Sequence, residues 1–151
     1  MEKIRLPMAV IMERRLTSNR WVPIKWEAIA VLPDSGEEPV AGNVVFADEQ
    51  STHYLFSSFS LELHRDEAEN YFLNIGGTEP KVFVLWRLED DVAKPYRVTV
   101  SLGEAARWVD SGESVDGIAM PHDIAVWLSD YVVRHYVPEV KKPKRREMKK
   151  N

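Results

Sequence analysis

The chain opens on an alternating run. Ile4, Leu6, Met8, Val10 and Met12 are apolar and share one parity, the period of two that marks a half-buried strand. A second strand is predicted over about Arg20 to Leu32, where Val22, Ile24, Trp26, Ala28, Ala30 and Leu32 are all apolar and the odd positions include Lys25 and Glu27. Its even face belongs to the core and its odd face is mixed. Pro33-Asp34-Ser35-Gly36 and the acidic residues up to Gly42 read as a surface loop. A short strand is predicted at Asn43 to Phe46, and a longer one at Thr52 to His64 with Leu55, Phe59, Leu61 and Leu63 on one parity. Lys81 to Leu88 and Tyr96 to Val100 are strand-like as well, joined by an acidic, turn-like connection from Glu89 to Pro95.

The period changes in three places. Asp66 with Glu69 reads as a capping box ahead of a short helix carrying Ala68, Phe72 and Ile75, stopped by Gly76-Gly77. Ser101 with Glu104 forms another, ahead of Ala105, Ala106, Trp108 and Val109, with Gly112 ending that helix. Pro121 suits a first helical position, and Ile124, Trp127, Leu128, Tyr131, Val132 and His135 recur at three and four until Pro138 stops the run. Consecutive strands with short connections favour antiparallel pairing. The expected fold is therefore α+β: a mainly antiparallel curved sheet or partly open barrel of about five to six strands, with about three helices. Residues 1–137 are expected to form a single globular domain and residues 138–151 a disordered basic tail.

Composition adds little to the fold but narrows the chemistry. At 151 residues, 44% hydrophobic and 29% charged, the chain has the make-up of an ordinary globular protein. Without a run of eighteen apolar residues or a signal-peptide layout after Met1, a cytoplasmic location is the expectation. The absence of cysteine removes disulfides, cysteine zinc sites, iron–sulfur ligation and a thiol nucleophile. The net charge of -4 conceals a division. Lys141, Lys142, Lys144, Arg145, Arg146, Lys149 and Lys150 outweigh Glu139 and Glu147 to give the tail +5, and the 13 basic and 22 acidic residues that remain give the body -9. An acidic body argues against a nucleic-acid groove in the folded part.

The candidate chemistry is concentrated between Met12 and Trp26, where Arg14, Arg15, Arg20, Trp21 and Trp26 surround one short polar break. Arg and Trp are the side chains most used to anchor a partner. A turn centred on Thr17 pairs Met12 with Val22, Val10 with Ile24 and Met8 with Trp26, all apolar, whereas a slide by one residue mixes the faces. That register sets Arg14 opposite Arg20 at the mouth of a five-residue loop, with Arg15 beside them. Like charges in opposition need neutralising. Either a carboxylate of this chain, such as Glu13 or Glu27, supplies the counter-charge, or an external carboxylate, phosphate or acidic protein surface does, with Trp21 as the flanking aromatic. Trp26, on the core parity, is structural.

Elsewhere the sequence offers no catalytic residue, cofactor motif or metal motif. His53, His64, His122 and His135 lack metal-ligand spacing, although His64 with Glu62 and Asp66 can gather at a strand end. Gly76-Gly77-Thr78 lacks the lysine of a phosphate loop, and no serine sits in a Gly-x-Ser-x-Gly elbow.

Met12-Glu13-Arg14-Arg15, Asn19-Arg20-Trp21, Trp26 and Val31-Leu32-Pro33 together resemble an uncharacterised bacterial protein family, a domain of unknown function. The resemblance extends through Val84-Leu85-Trp86-Arg87 and Ala106-Arg107-Trp108 to the Trp127 helix, covering most of the body but not the tail. Members are often encoded beside formate dehydrogenase and molybdenum-cofactor genes. The resemblance implies a non-enzymatic accessory or adaptor protein acting in assembly or maturation of a molybdenum-dependent formate dehydrogenase, with that enzyme or its maturation factors as partner. The residues leave two other classes open: nucleic-acid binding through the tail alone, or a small-ligand or enzymatic pocket in the sheet with His53, His64 or the arginines at its mouth.

Overall fold

The alternating N-terminal segment forms the central strand of its sheet. In a computed structural model that describes residues 2–138, β1 (Arg5–Leu16) pairs antiparallel with β2 (Ile24–Pro33) on one side and β4 (Ser51–Glu62) on the other, and β3 (Ala41–Ala47) lies outside β4. The order is β2-β1-β4-β3. Met8, Val10 and Met12 are buried on one face, as their parity requires.

A second antiparallel sheet, in the order β6-β5-β7, is built from β5 (Lys81–Glu89), β6 (Val92–Thr99) and β7 (Ser114–Ala119). The expected α+β class holds, but among the described residues there are seven strands in two sheets rather than five or six in one curved sheet, and no barrel closes among them. One continuous core takes Val10, Met12 and Leu61 from the first sheet, Val82, Val84 and Val98 from the second, and Leu128 and Tyr131 from the last helix. β7 escapes the sequence pattern because only Val115 and Ile118 are large and apolar in its six residues. Gly117 lies across from Phe83, where an added Cβ would come 3.2 Å from the ring and 2.7 Å from Lys81 Cδ. The strand depends on that close approach.

Two bulges explain why the strand parities hold only in part. The β1–β2 register shifts between Ile11 and Met12, so that Met12 pairs with Ala28 but Ile11 with Ala30. Ile29 is the extra residue, and beyond it the faces exchange: Val31 is buried while Leu32, expected in the core, is exposed. In β4 Ser58 has φ +71°, and the core side passes from Phe56 to Leu61 across it.

A 3-10 turn at Arg65–Glu67 leads into α1 (Ala68–Ile75), and α2 (Leu102–Asp110) and α3 (His122–His135) follow. Ser101 caps α2 as its spacing predicts, accepting the Glu104 N–H at 3.0 Å. The other half of that capping box is absent, because the Glu104 carboxylate pairs with Arg97 at 3.1 Å. The Asp66 capping box does not form either: neither the turn nor α1 has a side-chain cap. Glu67 instead accepts from the buried Ser101 hydroxyl and pairs with Arg107 at 3.3 Å. Tyr71, not the exposed Phe72, is the core aromatic of α1.

Three polar ties hold these layers together. Asp116 Oδ2 on β7 accepts the Ala28 N–H of β2 at 2.9 Å and Trp86 Nε1–H of β5 at 2.8 Å, joining the two sheets. Asn74, buried at the end of α1, donates to the Lys81 and Val100 carbonyls and accepts the Lys81 N–H. At the N-terminal side Glu2 meets His135 Nε2 at 2.7 Å, Trp127 Nε1–H donates to the Lys3 carbonyl, and the Leu63 N–H donates to that of Ile4.

Candidate protein-docking site

The β1–β2 connection is longer than the apolar pattern suggests. Pairing ends at Leu16 with Ile24, so residues 17–23 form the loop, and Arg14 faces Trp26, not Arg20. The alternation fixed parity but not offset, since β2 is apolar at every even position. Turn chemistry decides the rest. Pro23 has no N–H to give to a ladder. Thr17 Oγ1 donates to the Val22 carbonyl and accepts the Asn19 N–H, Asn19 Oδ1 accepts the Trp21 N–H at 2.9 Å, and the Thr17 N–H donates to Pro23. These short polar side chains capture the backbone in a local turn.

Arg20 and Trp21 therefore sit in the apex rather than on a strand. Trp21 is 82% exposed, and the Arg20 guanidinium carbon lies 5.6 Å from its ring centroid. Arg15 is paired with Lys25, a direct opposition of like charges. Trp26 is partly buried against the core, as expected, with its ring 5.6 Å from that of Tyr54. The sequence reading missed Lys25 as a fourth cation of the site; its place opposite Arg15 emerges only from the register.

Counter-charge separates this cluster from five of the other arginines. Arg5, Arg87, Arg97, Arg107 and Arg134 each hold a carboxylate within 4 Å. Among the described residues, no carboxylate comes within 4 Å of Arg14, Arg15, Arg20 or Lys25, and Arg65 is the other described arginine without one. Glu13, a candidate for that role, is hydrogen-bonded to His53 Nε2 at 3.0 Å instead. Beside the cations Leu16, Val22 and Ile24 are exposed too. Cations with apolar neighbours suit an acidic surface that also carries apolar groups.

The remaining histidines disperse. His64 lies 3.9 Å from Glu62, in a polar cleft of about 230 Å³ lined also by Ser58, Ser60, Tyr96 and Arg97. His135 is held by Glu2. Among the described residues no three His, Asp or Glu side chains group as a metal site. An apolar groove of about 480 Å³ runs between Leu6, Met8, Pro33, Pro121 and Ile124, with His122 and Asp123 beside it. No helix among the described residues is long and apolar enough to cross a membrane. Lys141, Lys142, Lys144, Arg145, Arg146, Lys149 and Lys150 lie outside the described residues.

No curated protein and no solved structure matches this chain. A family model for a protein of unknown function, DUF3305, does match, over residues 7–146. The matched span runs past the body into the basic segment, taking in Lys141 to Arg146. With the match covering nearly the whole chain, the protein belongs to the DUF3305 family of proteins of unknown function.

Proposed function

We propose that this protein is a non-enzymatic accessory or adaptor protein, a single α+β domain over residues 1–137, that docks on another protein through Arg14, Arg15, Arg20 and Trp21. The observation that carries the reading is the sheet end itself. Four cations with no carboxylate within 4 Å among the described residues, beside an 82% exposed tryptophan, stand on a chain whose net charge is -4. Solvating such an end costs the free protein little, whereas an acidic partner gains charge-assisted bonds and an aromatic anchor.

The partner is a molybdenum-dependent formate dehydrogenase or one of its maturation factors, in the cytoplasm. Support for this part comes from the family resemblance in Met12–Arg15, Asn19–Trp21 and Trp26. Affinity purification from the native cells recovers the dehydrogenase or its maturation factors, and recovery falls with the triple variant Arg14→Ala/Arg15→Ala/Arg20→Ala. Recovery of the protein alone, with unchanged formate dehydrogenase activity after deletion, defeats the proposal.

A further inference from the structure

The observed register distributes the cations over both faces of the sheet end. Arg14 and Trp26 are partners on the inner face, in line with Met12 and Ala28, and the exposed Leu16 and Ile24 continue that face outward. Arg15, Lys25 and Ser51 share the outer face. Arg20 and Trp21 lie between, in an apex fixed by hydrogen bonds within residues 17–23. A flat acidic surface can meet one face only. It would leave either Arg14 or the Arg15–Lys25 pair without a counter-charge.

Resting on the docking reading above, we infer that the tip inserts into an acidic cleft of the partner protein, with carboxylate-bearing walls against both faces and an apolar floor for Trp21. Stacked sheets lie about 10 Å apart, so each wall of the cleft stands on the order of 10 Å from the mid-plane of the tip. Residues 1–137 carry -9 overall, so within them attraction to an acidic partner is concentrated at the cationic tip, which favours tip-first entry. The fixed apex reduces the ordering cost of insertion.

Photo-cross-linking in the cells that make the full chain tests this. The photoreactive p-benzoylphenylalanine is placed singly at Leu16 on the inner face, Ser51 on the outer face and Trp21 at the apex, and cross-linked peptides are identified by mass spectrometry. Ile24 and Lys25 give a second pair of positions on the same two faces should either variant fold poorly. The expected result is cross-links from both faces to one polypeptide, in segments rich in Asp and Glu, with Arg14→Glu and Arg15→Glu each lowering the apex cross-link at least tenfold. Cross-links from one face alone overturn the cleft and leave docking standing. Cross-links to nucleic acid alone, or to no macromolecule from any position, overturn docking and the cleft together.

Discussion

Removing the Asp116 carboxylate should loosen the joint between the sheets and, with it, the setting of β2. One oxygen accepts both the Ala28 N–H and the Trp86 indole N–H, at 2.9 and 2.8 Å. Hydrogen bonds to a charged group contribute about 1.5–3 kcal/mol each. Because Asp116 and Trp86 are only partly buried, water recovers part of the loss, and the lower bound applies to each bond. Asp116→Ala is therefore expected to destabilise by about 3 kcal/mol, a large share of the roughly 5–15 kcal/mol available to a domain. Asp116→Asn keeps an oxygen in place and should lose about 1 kcal/mol. Urea unfolding followed by tryptophan fluorescence gives both values, and a double-mutant cycle with Trp86→Phe isolates the indole bond at about 1.5 kcal/mol of coupling. Asp116→Ala within about 0.5 kcal/mol of the natural protein, or Ala and Asn variants of equal stability, would refute the reasoning.

Asn74→Ala breaks three hydrogen bonds at a buried position and should cost about 3 kcal/mol by the same unfolding measurement; a loss below about 1 kcal/mol contradicts the clamp assigned to it. Burial, foremost, lifts the Tyr71 hydroxyl well above its usual value of 10.0, with the bond from the His64 N–H acting the other way. Its folded value being raised, its contribution is complete below pH 10.0 and is lost as the unfolded chain ionises above that, by at most about 1.4 kcal/mol per pH unit. Tyr71→Phe should flatten this alkaline decline while costing about 1 kcal/mol at neutral pH through the unpaired His64 N–H; an unchanged alkaline limb excludes Tyr71 as its source. Trp21→Ala should leave the unfolding free energy within about 0.5 kcal/mol and abolish partner recovery; a substantial stability loss would make Trp21 a packing residue.

How much was legible follows from what each signal encodes. Alternation fixed the faces of β1 because it is flanked on both sides and one face is core. It could not show the bulges at Ile29 and Ser58, where the chain exchanges faces: Val31 and Leu32 are equally apolar, so hydropathy is indifferent to which one turns inward. Ser101 announced its cap because one side chain and one N–H suffice. Asp66 did not become a cap, because the preceding 3-10 turn and the demand of Ser101 and Arg107 for Glu67 set the chain path there. At the candidate site the residue types were legible and the geometry was not. Thr17, Asn19 and Pro23 carried the turn, and weighing them against the apolar pairing would have moved Arg20 into the apex and Lys25 opposite Arg15.

The length of β1 also sets how the molecule can be held. Glu2 and His135 touch at the start of a 12-residue strand that spans roughly 40 Å, and the cationic apex lies at its far end. An attachment at the exposed Val137 is thus an anchor at the opposite pole. Tethered there to a sensor surface, every copy faces solution with its apex outward, and association rates measured in that geometry report the apex undisturbed by the tether.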